Sequence, residues 1–199
     1  MKIRMVLLGL LFAVFFQNFV YAEELETIKI GVNLELTGKG KSYGISSLEG
    51  VQIAAAEYNA QGGFKGRKLE LVVVDNQSEE SGSILGMKKL VESRVVAVVG
   101  SAFSSPMIAA APVNDESKVL GISGTASNPR VTLDGNGKVR PFLFTLSSND
   151  WSQGAVMATF ATRSLKAQTA VIYIDNNSDY SKRVAINFEK KFIQWRIQT

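Results

Sequence analysis

The 199-residue sequence contains no cysteine and no histidine. These absences exclude thiol nucleophiles, Ser-His-Asp catalysis and metal sites built from Cys or His. Without disulfides, the protein cannot be a small disulfide scaffold and must be stabilised by its core. The acidic residues are scattered, without the paired spacing that carboxylate acid–base catalysis needs. We therefore expect no enzyme, cofactor or metal site, and an exported hydrolase that uses carboxylates remains the enzymatic alternative.

The chain also lacks the basic patterning of a nucleic-acid-binding protein. Lys and Arg number 22 and Asp and Glu number 18, a net charge of +4. Two of the basic residues lie within residues 1–22, so the rest of the chain carries only +2. Its Lys and Arg residues form no stripe interleaved with aromatics. We expect no nucleic-acid partner.

One long apolar run is present, "VLLGLLFAVFF" at residues 6–16. A basic start precedes it and the compact "VYA" of residues 20–22 follows, as in a secretory signal peptide. The run is short for a membrane span, and no cysteine follows it that could carry a lipid. The sequence predicts a signal peptide over residues 1–22, cut near Ala22, and export to the periplasm; a retained membrane anchor is the alternative.

Beyond this segment, predicted strands and helices alternate. Alternating or continuous apolar runs predict strands, and helical periodicity with cap residues predicts the helices between them. The strands are predicted at 27–36, 68–75, 95–100, 118–123 and 141–148, and the helices at 42–63, 78–93 and 104–117. This order predicts right-handed βαβ units, hence an α/β fold with a doubly wound parallel sheet between helices.

The pattern then restarts after residue 148. A helix at 150–166, a buried strand at 169–175 and a helix at 180–195 are predicted. One strand cannot build a sheet by itself. We therefore divide the chain into an N-terminal lobe over residues 23–148 and the incomplete start of a second lobe over 149–199.

The Gly- and Lys-rich loop "LTGKGKSYG", residues 36–44, is similar to a phosphate-binding loop. A P-loop would need glycine at the position of Glu35, where a carboxylate would repel phosphate. The dinucleotide pattern also fails, because Tyr43 stands where its third glycine is needed and Gly44 comes one residue late. The loop does not predict nucleotide binding.

Two other loops suggest a binding site. "GSAFSSPM", residues 100–107, follows the third strand, and Pro106 is predicted at the first position of the next helix. Free N–H groups and the helix dipole would favour a carboxylate beside Ser104, although plain capping by one serine is the alternative. "SGTASNP", residues 123–129, follows the fourth strand, or is an ordinary loop. Ligands of open α/β sheets bind at these carboxyl ends of strands.

The ordered segments resemble the type I periplasmic binding proteins, specifically the branched-chain amino acid (Leu/Ile/Val) family of ABC transporters. The resemblance rests on "IKIGVNLELTGKGKSYGISSLEGVQIAAAEYNAQGGFKGRKLELVVVDNQS", "VVAVVGSAFSSPMIAAAPVNDESKVLGISGTASNP" and "PFLFTLSSNDWSQGAVMATF". It implies two lobes that close around a small-molecule ligand. It further implies a monomer that delivers an amino acid or similar carboxylate to an ABC permease in the membrane.

The resemblance also implies a ligand site. The amino acid's carboxylate would be held by the hydroxyl of Ser104 and by backbone N–H groups of Ala102 and Phe103. Its ammonium would be held by a carbonyl and a hydroxyl of the segment 125–127, that is Thr125, Ala126 and Ser127.

Two tyrosines complete the expected site. Tyr43 would pack on the ligand, and Tyr180 would close over it from the second lobe. Binding pockets are built from a few aromatic and polar groups, which favours a ligand-binding role. Loop aromatics that cap the core are the alternative for both tyrosines.

The chain departs from the family in length. Family members are much longer, and most of the second lobe is missing, with the acidic residue that would pair with the ligand's ammonium. A half-site should bind weakly. Two alternatives remain open: the ligand-sensing domain of an amide or amino acid receptor or regulator, and a non-functional truncated remnant.

Overall fold

Five parallel strands form one sheet in a computed structural model of the protein, which describes residues 26–197. The strands run in the order β2-β1-β3-β4-β5, and every neighbouring pair is parallel. They are β1 Ile28–Leu34, β2 Leu69–Asp75, β3 Ala97–Val99, β4 Leu120–Ser123 and β5 Leu143–Thr145. The doubly wound parallel sheet expected from the sequence is confirmed. The predicted signal peptide lies outside the described residues.

Five α-helices connect and follow the strands among the described residues. They are α1 Lys41–Ala60, α2 Glu80–Glu92, α3 Ser104–Ser117, α4 Asp150–Thr159 and α5 Asp179–Ile197. A 3₁₀ turn covers Pro129–Val131, and a π-helical turn at Phe160–Ser164 extends α4. Pro106 is the third residue of α3 rather than the first, so that detail of the prediction is wrong. Within residues 26–197, no helix has the length and apolarity to cross a membrane.

The core lies on both faces of the sheet. On one face, Val32 and Leu34 of β1 are buried against α1. On the other face, Leu90 of α2 and Ala110 of α3 pack with Val98 of β3. Successive residues of a strand point to opposite faces, so this central apolar run is covered by helices on both sides.

The order of the strands reverses at β1. This strand pairs with β2 on one side and β3 on the other. The chain therefore leaves the carboxyl ends of β1 and β3 toward opposite faces of the sheet, which opens a crevice between the two departing loops. The fold thus places the loops at residues 36–44 and 100–107 on either side of this crevice.

The described residues after 148, called the second unit below, contain two helices, α4 and α5, whereas residues 26–148 form the first unit. At Gly154 of α4, an added Cβ would lie 2.5 Å from the carbonyl oxygen of Val184, so glycine allows α4 and α5 to pack closely. The segment 169–175 between them was predicted as a buried strand, and that prediction is wrong: Val171 and Tyr173 are 100% and 99% exposed. No other described strand pairs with it, and an isolated strand leaves its backbone groups unsatisfied.

Candidate functional site

A cleft of about 1260 Å³ opens at the carboxyl end of the sheet, between the strand-end loops and the start of α5. Seven of the eight predicted ligand-binding residues line it: Tyr43, Ala102, Phe103, Ser104, Thr125, Ser127 and Tyr180. Ala126 is buried behind them, in a cluster with Met107 and Leu143. The topology therefore brings together residues that are up to 137 positions apart in the chain.

Glu35, which follows β1, is fully buried behind Ala102 and Phe103, which line the cleft. Its carboxylate accepts hydrogen bonds from the backbone N–H groups of Ala102 at 3.1 Å and Phe103 at 3.2 Å, and from the hydroxyl of Ser101. The two N–H groups expected to hold a ligand's carboxylate are therefore engaged by the protein's own carboxylate. The sequence argument used Glu35 only against a P-loop; a carboxylate directly after an apolar strand was the signal it missed.

The glycines of the segment 36–44 serve packing. An added Cβ at Gly44 would lie 2.0 Å from the carbonyl oxygen of Glu35, and one at Gly40 would lie 2.8 Å from Cε2 of Phe103. Glycine therefore lets the first turn of α1 lie directly on the end of β1. This turn carries Tyr43 to the rim of the cleft, where the tyrosine is 61% exposed. Its ring meets the ring of Phe103 edge-on, with centroids 5.5 Å apart.

The first turn of α3 supplies the polar floor of the cleft. Ser104 is the first residue of α3 and is buried, and its hydroxyl oxygen accepts a hydrogen bond from the N–H of Asn128 at 3.3 Å. No side chain caps this helix at its N-cap position, Phe103, so serine capping is not how the helix begins. The first N–H groups of a helix have no intrahelical acceptor, which makes this turn attractive to an anion.

The loop after β4 forms the adjoining wall. The hydroxyl of Thr125 donates to the carbonyl oxygen of Ala102 at 2.7 Å, which ties this loop to the one after β3. The hydroxyl of Ser127 donates to Asp150, the fully buried first residue of α4. The second carboxylate oxygen of Asp150 has no hydrogen-bond partner among the described residues. Burial raises the pKa of Asp150 against the opposing effects of Ser127 and Arg183.

The start of α5 closes the cleft from the second unit. The backbone N–H of Asp179 donates to the hydroxyl oxygen of Ser105 at 3.0 Å, and the Asn128 amide donates to the carbonyl of Asp179 at 3.1 Å. An ion pair joins the carboxylate of Asp179 to Arg130 at 3.6 Å. The hydroxyl of Tyr180 donates to Gln153 at 3.0 Å, within the second unit. Both units therefore contribute to one cleft.

The cleft combines groups that suit a small zwitterion. The helix start at Ser104 favours a carboxylate, while the carbonyls of the loop after β4 are acceptors suited to an ammonium group. Tyr43 and Phe103 offer an apolar surface beside them. Over residues 26–197, His, Cys, Asp and Glu form no group of three able to hold a metal ion. The contact of Asp150 with Ser127 was not predicted, although a carboxylate at a predicted helix start after an extended segment was visible in the sequence.

The chain is similar to known binding proteins over most of its length. A family model described as periplasmic binding protein matches residues 27–193. An amino acid binding protein of Pseudomonas aeruginosa is 32% identical over 155 residues, covering 77% of this chain and 40% of that protein. The Leu/Ile/Val-binding protein of Escherichia coli is 27% identical over 163 residues, covering 82% of this chain and 42% of that protein.

A solved structure is similar over the same region. The branched-chain amino acid transporter substrate binding protein of Streptococcus pneumoniae, in complex with isoleucine, has a TM-score of 0.77 and 36% identity to this chain. The match covers 83% of this chain and 47% of that one. The chain therefore spans less than half the length of these relatives.

Proposed function

The chain belongs to the periplasmic binding protein family, and from this membership we propose that it captures an amino acid of branched-chain type for uptake by an ABC transporter. Members of this family bind solutes and catalyse no reaction, which confirms the expectation that the chain is not an enzyme. The names of the relatives support an amino acid as ligand. The predicted leader at residues 1–22 supports export to the periplasm, where such capture takes place.

One observation carries the proposal. The first turn of α3 and the loop after β4 lie side by side in one cleft, which Ser104 and Ser127 both line. An amino acid presents a carboxylate and an ammonium a single carbon apart, and the cleft offers N–H donors at the start of α3 beside carbonyl acceptors in the loop after β4. The apolar side chain of the ligand then lies against the edge-on pair formed by Tyr43 and Phe103.

Both units are expected to contribute to the affinity for the ligand. Ser105 and Asn128 hold the start of α5 over the cleft, so a ligand is covered from the second unit as well as from the sheet. We therefore expect millimolar to micromolar affinity, since a dissociation constant of 1 mM needs only about 4 kcal/mol of binding free energy.

Titration calorimetry with L-leucine, L-isoleucine, L-valine, L-alanine and 4-hydroxybenzoate tests this function. The last compound tests whether the aromatic pair selects aromatic acids instead. The substitution Ser104→Ala removes a hydroxyl at the helix start and should weaken amino acid binding by about tenfold or more, the effect of one hydrogen bond to a charged group.

Ser117→Ala is the matched control, at the other end of the same helix, where the hydroxyl of Ser117 donates to the carbonyls of Val113 and Asn114. It should bind as tightly as the unaltered protein. Absence of binding for every amino acid, or equal binding by both serine variants, would contradict the proposed function.

A further inference from the structure

We propose that Glu35 is a positioning residue of the cleft: its carboxylate acts as a built-in anion that holds the loop after β3 and directs a ligand's carboxylate onward to Ser104. The part of this inference that concerns a ligand rests on the proposed function. The part that concerns the loop rests on the contacts of Glu35 alone.

The carboxylate of Glu35 is surrounded by donors. One oxygen accepts hydrogen bonds from the hydroxyl of Ser101 and the N–H of Phe103, and the other accepts from the N–H of Ala102. The residue is 0% exposed. A buried carboxylate is stable only with such partners, and hydrogen bonds to an ionised acceptor are stronger than neutral ones. Three successive residues of the loop are thus fixed by one side chain.

The same loop is tied to its other neighbours. The amide of Asn76, after β2, donates to the hydroxyl oxygen of Ser101 at 2.7 Å. The hydroxyl of Ser123 donates to the carbonyl of Ser101 at 2.6 Å, and the hydroxyl of Thr125 donates to the carbonyl of Ala102. Glu35 therefore stands at one end of a continuous network that connects the ends of β1, β2 and β4.

Helix α1 encloses the carboxylate. Gly40 would place an added Cβ 3.0 Å from the side chain of Glu35, and Gly44 would place one 2.0 Å from its carbonyl oxygen. Glycine is therefore necessary at position 40, the N-cap of α1, and at position 44, within α1, for the helix to lie over Glu35. The enclosure keeps water from competing for the N–H groups of Ala102 and Phe103.

Because of these contacts, the N–H groups available to a ligand's carboxylate lie later in the sequence than Phe103. Because the N–H groups of Ala102 and Phe103 are occupied by Glu35, the open donors of this region begin at the first turn of α3. A ligand's carboxylate is then placed at Ser104, within reach of the loop that carries Ser127, rather than deeper in the sheet. Glu35 acts on the ligand only through the loop it holds.

The isosteric substitution Glu35→Gln tests this role. A glutamine retains one acceptor oxygen and turns an NH₂ group toward the donors of the loop. Amide hydrogen exchange at Ala102 and Phe103, measured by NMR, should accelerate by about tenfold or more, as expected for loss of a hydrogen bond to a charged acceptor. The preference for L-leucine over L-leucinamide, which lacks the carboxylate, should fall by a similar factor.

Asp115→Asn is the matched control, because Asp115 does not line the cleft and instead forms an ion pair with Arg140 near the far end of α3. Eleven residues separate it from Ser104, about 16 Å along a helix axis. It should change neither exchange at Ala102 and Phe103 nor the preference for leucine. If both variants changed these readouts together, Glu35 would serve general stability only, and the inference would be overturned.

Two outcomes separate this inference from the proposed function. If the unaltered protein bound no amino acid, the proposed function would fail, and the exchange comparison would still decide whether Glu35 holds the loop. If Glu35→Gln did not fold, exchange in the ligand-free, unaltered protein would decide: slow exchange at Ala102 and Phe103 supports the inference, and rapid exchange at both overturns it.

Discussion

Ser127 and Asp150 exchange two hydrogen bonds: the hydroxyl of Ser127 donates to the carboxylate of Asp150, and the N–H of Asp150 donates to the carbonyl of Ser127 at 3.2 Å. The pair joins a loop that lines the cleft to the first residue of α4. Because Ser127 lines the cleft and Asp150 begins the second unit, the geometry of the binding wall depends on how the two units meet.

The pH dependence of stability follows from the raised pKa of Asp150. Between the ordinary value of 3.8 and the higher pKa in the folded protein, the folded state retains a proton that the unfolded chain has lost. The free energy of unfolding therefore contains a favourable contribution from Asp150 at low pH that disappears as pH rises through this interval. Asp150→Asn, which cannot ionise, should gain stability relative to the unaltered protein as pH increases from 3.8 toward neutrality.

Asp134 provides a control of opposite sign. The N–H groups of Lys138 and Asn136 donate to its carboxylate and lower its pKa. The contribution of Asp134 to the free energy of unfolding is fully present above pH 3.8, and it is lost as the pH falls through the pKa of Asp134 in the folded protein. Asp134→Asn should therefore lose stability relative to the unaltered protein as pH rises. Urea denaturation of all three proteins, at pH values below 3.8 for the Asp134 slope and above 3.8 for the Asp150 slope, checks both assignments. Equal pH dependence of the two variants throughout would disprove them.

Tyr43 is expected to contribute affinity through its ring. Tyr43→Ala removes the aromatic rim and its edge-on contact with Phe103, and should weaken L-leucine binding by about threefold to tenfold. Tyr43→Phe retains the ring and should bind nearly normally. Tyr58→Ala, at an exposed position later in α1, is the control. Calorimetry that found Tyr43→Ala and Tyr58→Ala equal in affinity would remove Tyr43 from the site.

Two glycines of α1 should respond oppositely to alanine. At Gly44 the new Cβ would meet the carbonyl oxygen of Glu35 at 2.0 Å, whereas at Gly50 nothing lies within 4 Å. Gly44→Ala should lower the free energy of unfolding by about 2 kcal/mol or more through overpacking. Gly50→Ala should raise it by about 0.5–1 kcal/mol, because alanine loses less backbone entropy in a helix. Similar unfolding midpoints for the two variants would show that α1 does not press on β1.

The segment 169–175 should promote self-association. Val171 and Tyr173 are almost fully exposed, while Ile172 and Ile174 are 38% and 39% exposed. Replacing Val171 and Tyr173 together by threonine should reduce association in light scattering, and should change the free energy of unfolding by less than about 0.5 kcal/mol. The control pair, Ile172→Thr with Ile174→Thr, should lose more stability. A larger loss from the first pair would mean that this segment is packed in solution.

The sequence predicted the first lobe well because local patterns agreed with the fold. "VVAVVG" at residues 95–100 is a continuous apolar run, and it forms β3 in the middle of the sheet. The same reasoning failed at residues 169–175, where an equally apolar run has no neighbouring strand among the described residues. Apolar composition reports the preference for burial, but a strand also needs a partner for its backbone groups.

The site was predictable in its loops but not in its hydrogen bonds. The carboxyl ends of β3 and β4 lie at one edge of a parallel sheet, so the loops at residues 100–107 and 123–129 could be placed at one cleft from sequence order. The role of Ser127 within its loop was implied by the family resemblance. That Glu35 accepts the N–H groups of Ala102 and Phe103 depends on a contact 67 residues apart in the chain. No local pattern encodes such a contact.

The most direct test of amino acid binding in this cleft is NMR titration of the ¹⁵N-labelled protein with L-isoleucine, which detects affinities as weak as millimolar. We predict saturable shifts that are largest for the amides of Ser104 and Ser127, with little change at Asp115 on the far end of α3. Shifts that do not saturate, or that are largest outside the cleft, would contradict the proposal.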